Sequence, residues 1–183
     1  MENFSNNFLL SLPALNDSVF EESLIYICNH NKSGAMGIII NKPMPEKNIA
    51  NILKETSLEQ LKPKMQIYFG GPVDLSVGMF LHNRGYKTNG TINISESISL
   101  SSNISIVDDI KNGKGPDKFK FALGYSGWTG GQLETELEKG YWLLVPAVDD
   151  LILNTPYSEI LTKIQSIADI DINIFSGGLS GLS

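Results

Sequence analysis

Residues 124–137, GYSGWTGGQLETEL, hold the densest group of side chains able to do chemistry. A serine lies between glycines, a tryptophan follows, then paired glycines and a run of carboxylates. A nucleophile elbow needs G-x-S-x-G at a turn from strand to helix. Gly124-Tyr125-Ser126-Gly127-Trp128 sets its second glycine one place early, and Trp128 fills a position that should be small. A serine nucleophile also needs a base, and the chain has two histidines, His30 and His82. The spacing instead suits a helix start. Thr129 as N-cap puts Gln132 at N3, the pattern of a capping box, and pairs Trp128 with Leu133 as a hydrophobic staple. Glycines in a first turn weaken a helix. Gly130 and Gly131 are explained by close packing of another backbone segment, or by a ligand on the free N–H groups.

Cys28, His30 and His82 are the nitrogen and sulfur candidates for a metal. In a regular strand Cys28 and His30 share a face. C-x-H is a weak signal, so no metal site is assigned. The pairs Asp108-Asp109 and Asp149-Asp150 point apart in any regular element, which suits solvent better than acid–base chemistry. YFGGPVD (68–74) is a second glycine-rich strand exit, with Gly70, Gly71 and Pro72 shaping a tight turn; it matches no phosphate-loop pattern. A third strand ends at Asn41-Lys42-Pro43, where the Asn41 side chain shapes the exit or meets a ligand.

The elements that carry these residues follow from periodicity. Strands are expected at 8–12, 24–30, 35–41, 65–69, 77–83, 91–95, 119–125, 141–147 and 150–153. The turn Asn31–Gly34 joins two of them as a hairpin, with Gly34 at positive φ. Helices are expected at 49–61 with Asn48 as cap, at 104–115, and at 155–169 with Thr155 as N-cap and Pro156 at N1. The Gly/Ser-rich tail 175–183 reads as frayed. Many strands with helices scattered singly between hairpins make an α+β fold with a mainly antiparallel or mixed sheet.

The chain of 183 residues suits a single domain spanning 1–183. One cysteine excludes an internal disulfide and fits a reducing compartment. No basic region precedes the apolar 8–15 stretch, and no apolar run reaches the length of a membrane span; a cytoplasmic protein is expected. The net charge of −6 opposes phosphate-driven nucleic-acid binding, as does the single arginine, Arg84. Lysines collect at 32–64 and acids at 121–183, as solvated faces of separate elements do.

Taken together, FLLSLPAL, SLIYICNHNKSGAMGIIINKP, YFGGPV, GMFLHN and ALGYSGWTGGQLETEL…YWLLVPA resemble the bacterial AlgH/YqgE family, in order, from Phe8 to Ala147. The resemblance implies a cytoplasmic α+β domain with a curved, partly barrel-like sheet and flanking helices. It implies no catalytic set. The family carries a transcriptional-regulator label linked to alginate production and is mostly uncharacterised. The positions that match its motifs are Asn41, Lys42, Pro43, Gly70, Gly71, Pro72, Gly124, Tyr125, Gly127, Trp128, Gly131 and Gln132. The family commonly has alanine where Ser126 stands, and a histidine-bearing tail where this chain has FSGGLSGLS.

Three functions follow in order. The first is a binding or regulatory module that contacts an unidentified protein or small molecule through Asn41, Gly70, Gly71, Pro72, Tyr125, Gly127, Trp128, Gly131 and Gln132, with Tyr125 and Trp128 exposed. The second is a transcriptional regulator that binds DNA directly, which charge and the lack of a helix-turn-helix pattern oppose. The third is an enzyme of unknown reaction. No cofactor is assigned.

Overall fold

The computed structural model describes residues 2–55 and 65–168. Among these residues nine strands form one sheet: β1 (Asn7–Ser11), β2 (Leu24–Asn31), β3 (Gly34–Ile39), β4 (Ile67–Phe69), β5 (Val73–Asn83), β6 (Ile92–Asn93), β7 (Ile98–Ser101), β8 (Phe119–Thr129) and β9 (Trp142–Pro146). Their order is β6-β7-β5-β8-β3-β2-β1-β9, with β4 added beside β8. All pairs are antiparallel except β4 with β8. Among the described residues five α-helices accompany the sheet: α1 (Glu46–Glu55), α2 (Ser105–Lys111), α3 (Gln132–Glu138), α4 (Asp149–Leu153) and α5 (Tyr157–Ile167). The fold is α+β, with the sheet curled into a half-barrel. No helix among the described residues is long and apolar enough to cross a membrane.

The near-continuous apolar runs in β1 and β2 reflect cover on both faces, since successive side chains point opposite ways. Phe8, Leu10, Leu24, Tyr26, Ile38 and Ile40 pack with Leu151 and Ile152 of α4 and Ile160 and Ile164 of α5. Their neighbours Leu9, Ile25, Ile27 and Ile39 pack on the other face with Trp128, Leu133 of α3 and Trp142. A third cluster joins Phe80, Phe121 and Leu123 to Ile106 and Val107 of α2.

β8 is the spine. Its first part, Phe119–Tyr125, pairs with β5, and Phe121–Leu123 also pair with β4. Its second part, Ser126–Thr129, pairs with β3. The bend lies at Gly124, whose φ is +71°.

Several expectations are corrected. The strand expected to stop at Tyr125 runs on to Thr129, because β3 supplies four further partners. Residues 149–153 form the helix α4 rather than a strand; four apolar residues in a row do not distinguish the two, and packing decides. β7 lies in a serine-rich stretch where no strand is expected. Helix α1 starts at Glu46, so Asn48 lies inside it and is exposed. Pro156 is the N-cap of α5 in place of Thr155, whose hydroxyl donates to the Asp150 carbonyl at 3.0 Å. The expected helix end at 56–61 and the tail 175–183 lie outside the described residues.

Candidate functional site

The motif-bearing strand exits meet at the bend of β8. Gly70 N–H donates to the Leu123 carbonyl at 2.9 Å, and the Gly70 carbonyl accepts from Ile39 N–H at 2.9 Å. Phe69 N–H donates to the Lys42 carbonyl at 2.9 Å. Asn41-Lys42-Pro43, Gly70-Gly71-Pro72 and Gly124–Trp128 therefore lie side by side. The glycines allow the backbones to touch. A Cβ on Gly71 would sit 2.2 Å from the Tyr125 carbonyl carbon, and one on Gly124 would sit 2.5 Å from the Gly71 oxygen. Ser126 is fully buried within β8, and its hydroxyl donates to the Gly70 carbonyl at 3.3 Å. Pro72 and Gly127 are exposed beside the half-buried Tyr125.

Trp128 is 7% exposed, not the exposed contact residue expected from the sequence. It packs with Leu133, as a staple would, and its indole N–H donates to Glu136 Oε2 at 2.8 Å. The Trp142 indole donates to the same oxygen at 2.8 Å, and Gln132 Nε2 donates to Glu136 Oε1 at 2.9 Å. Half of the capping box is present: Thr129 N–H donates to Gln132 Oε1 at 3.0 Å. Thr129 is not the N-cap, however; Gly131 takes that position at φ +77°.

Cys28, His30 and His82 do not form one site. A bulge in β2 between Ile27 and Asn29 breaks the alternation. Cys28 thus packs with Tyr26 in one cluster, while His30 stacks on Phe4 of the opposite one at 4.6 Å. Burial pushes the Cys28 thiol well above its ordinary value, so it is no ready nucleophile. His30 Nδ1 accepts Phe4 N–H at 3.1 Å, which places the proton on Nε2, 3.0 Å from Glu134 Oε1. His82 is fully buried; Nδ1 donates to the Asn83 carbonyl and Nε2 accepts from Ser101 Oγ, each at 2.9 Å. Burial lowers the His82 pKa, and the Asn83 carbonyl opposes the shift. Among the described residues no three His, Cys, Asp or Glu side chains are placed to hold a metal ion.

An open cleft of about 580 Å³ lies beside the exit Asn41-Lys42-Pro43. Its walls are the 18–22 turn, Asn41-Lys42-Pro43, and Tyr157 and Ser158 at the start of α5. Asn41 is buried and builds the wall: Oδ1 accepts Leu24 N–H and Nδ2 donates to the Glu22 carbonyl, both at 2.8 Å. Lys42 Nζ donates to the Val19 carbonyl at 3.0 Å. Its pKa is lowered by burial, against the pull of Glu21 and Glu22.

Behind this wall lies a residue that sequence reasoning missed. Lys120, on β8, is 7% exposed. Its Nζ donates to the Ile40 carbonyl at 2.8 Å and lies 4.6 Å from the centre of the Tyr68 ring. No carboxylate among the described residues forms an ion pair with it, and burial lowers its pKa to about 8. Tyr68 pairs through its backbone with Pro43, and its ring meets that of Tyr157 edge-on at 6.4 Å. Of Lys120, Tyr68 and Tyr157, Tyr157 alone lines the cleft; the other two are buried behind it. The signal was a lone lysine in the apolar strand FKFALG.

A family model described as AlgH-like matches residues 8–173. A UPF0301 protein of Marinomonas sp. (strain MWYL1) is 36% identical over 178 residues, covering 96% of this chain and 94% of the relative. Another, from Pectobacterium carotovorum, is 36% identical over 180 residues, covering 95% of this chain and 96% of its own. The solution structure of the AlgH protein from Pseudomonas aeruginosa superposes with a TM-score of 0.77 at 31% identity, covering 98% of this chain and 96% of that one. A Corynebacterium diphtheriae protein shares the fold at 17% identity and a TM-score of 0.69, covering 93% and 88% of the two chains. With motifs, fold and relatives in agreement over nearly the whole chain, the protein belongs to the AlgH-like family.

Proposed function

We propose that this protein is a binding module whose ligand is a small molecule held in the cleft over Asn41-Lys42-Pro43. The observation that carries the reading is the cleft itself, lined by one of the three motif-bearing strand exits, Asn41-Lys42-Pro43. Its wall is held rigidly by the two Asn41 hydrogen bonds. Tyr157, 41% exposed, offers an aromatic face at the rim. In this reading Asn41 frames the site. Gly70, Gly71, Pro72, Tyr125 and Gly127 hold the adjoining strands in register, and Trp128, Gly131 and Gln132 fix the start of α3.

The test is a fragment screen followed by amide-shift mapping. Hits are expected to move the signals of Asn41, Lys42, Tyr157 and Ser158. Ser158→Trp, which fills the cleft from an exposed position, is expected to weaken binding at least tenfold while leaving the melting temperature within a few degrees. Hits that map elsewhere and ignore Ser158→Trp would refute the reading.

A further inference from the structure

We propose that a second pocket, between the loop that follows β5 and the loop that follows α2, binds a small phosphate ester bearing hydroxyl groups. The pocket measures about 300 Å³ and shares no residue with the cleft over Asn41–Pro43. That size lies at the low end of the small-molecule range, about 300 to 1,000 Å³. Arg84 and Lys114 both line it. The chain has 20 acidic residues and one arginine, yet Arg84 forms no ion pair among the described residues. Its guanidinium makes one long hydrogen bond there, from Nη1 to the Glu96 carbonyl at 3.4 Å, so most of its donor fork stays open. Lys114 is not needed to cap α2. The carbonyls of Asp108, Asp109 and Ile110 already accept the N–H groups of Asn112, Lys114 and Gly113. The Lys114 ammonium forms no ion pair among the described residues either.

The loops that carry the two cations are tied to each other. Asn83 N–H donates to the Lys118 carbonyl at 3.0 Å, and Asn83 Oδ1 accepts the Lys118 N–H at 2.9 Å. The Tyr86 hydroxyl donates to Asp109 Oδ2 at 2.6 Å. Two glycines complete the lining. Gly85 has φ +123° and open space where a Cβ would lie, so the backbone is bare there. The Gly115 N–H donates to no group among the described residues. A forked cation, an ammonium and a free N–H suit phosphate, which brings three oxygens and close to two charges. Asp117 also lines the pocket and pairs with neither cation. Its carboxylate repels a bare anion and accepts from a hydroxyl, which favours a hydroxylated ester over free phosphate.

The experiment adds ribose 5-phosphate, inorganic phosphate or ribose to the full chain in phosphate-free buffer and reads amide shifts and affinity. Ribose 5-phosphate is expected to move the amides of Gly85, Lys114 and Gly115, and to bind at least about tenfold more tightly than inorganic phosphate. Ribose should move none of them. Arg84→Gln, at an exposed position, should weaken the ester at least about tenfold and leave the melting temperature within a few degrees. Asp117→Ala removes an acceptor from the ester and a repulsion from the free ion, so it should narrow the gap between the two. Ser158→Trp, in the other cleft, should leave ester binding unchanged. The proposal falls if the ester leaves the three amides unmoved, or if Arg84→Gln binds it as well as wild type does. It falls too if inorganic phosphate binds wild type as tightly as the ester. Shifts at Asn41 and Ser158 instead would place the ester in the first cleft and overturn the second pocket while the cleft reading stands.

Discussion

Glu136 Oε2 accepts both indole N–H groups that the chain possesses, one from Trp128 and one from Trp142. The two rings meet edge-on at 6.0 Å. Glu136→Ala leaves two largely buried donors unpaired, an expected loss of about 2–4 kcal/mol. Glu136→Gln keeps an accepting oxygen and should lose less than half of that. Thermal melts followed by tryptophan fluorescence compare the two; equal losses would refute the shared-acceptor account. Lys120 gives a second residue-scale expectation, in pH. Its folded-state value of about 8 lies below the ordinary lysine value of 10.5. Between those limits the unfolded chain holds a proton that the folded chain has shed, so stability rises with pH through the window. A gain of about 1.5 kcal/mol is expected from pH 8 to about 9.5. Urea midpoints in wild type and Lys120→Met check it: the rise should vanish in the variant.

At the level of elements, the bend of β8 depends on backbones that touch at Gly71 and Gly124. Gly71 has φ +150°, and its Cβ would fall 2.2 Å from the Tyr125 carbonyl carbon. Gly71→Ala combines strain and overlap and is expected to cost roughly 4 kcal/mol or to prevent folding. Gly113, with φ +69° and open space around it, serves as the contrast; alanine there should cost about 1 kcal/mol. Denaturant curves distinguish the two, and similar losses would refute the contact argument. The same elements show what is legible from sequence. Apolar runs bounded by Pro and Gly mark β1 to β5, β8 and β9 because both sheet faces are covered. β7 escapes that pattern because Ser99 and Ser101 are fully buried, their hydroxyls satisfied by Asn93, His82 and Thr91. Of the site, Asn41-Lys42-Pro43 was visible as a strand exit. Lys120 was not, since its partners Ile40 and Tyr68 are far away in sequence and only the tertiary fold joins them.

For the molecule as a whole, charge decides one matter. A net charge of −6 and a single arginine oppose phosphate-driven binding of duplex DNA. Titration of a labelled duplex at low salt is expected to show no binding; a strong, salt-sensitive complex would raise the DNA-binding regulator above the small-molecule reading. The order of the strands has a different consequence, which concerns time. β1 lies between β2 and β9, pairing Leu9 with Ile25 on one side and with Leu144 on the other. During synthesis from the N-terminus, the first strand soon meets its hairpin partner but waits more than a hundred residues for its second neighbour. Until then its outer hydrogen-bonding groups are open to any passing strand. The nascent chain therefore presents an unpaired edge on the ribosome for most of its translation, and that edge is where misassembly and chaperone capture would begin.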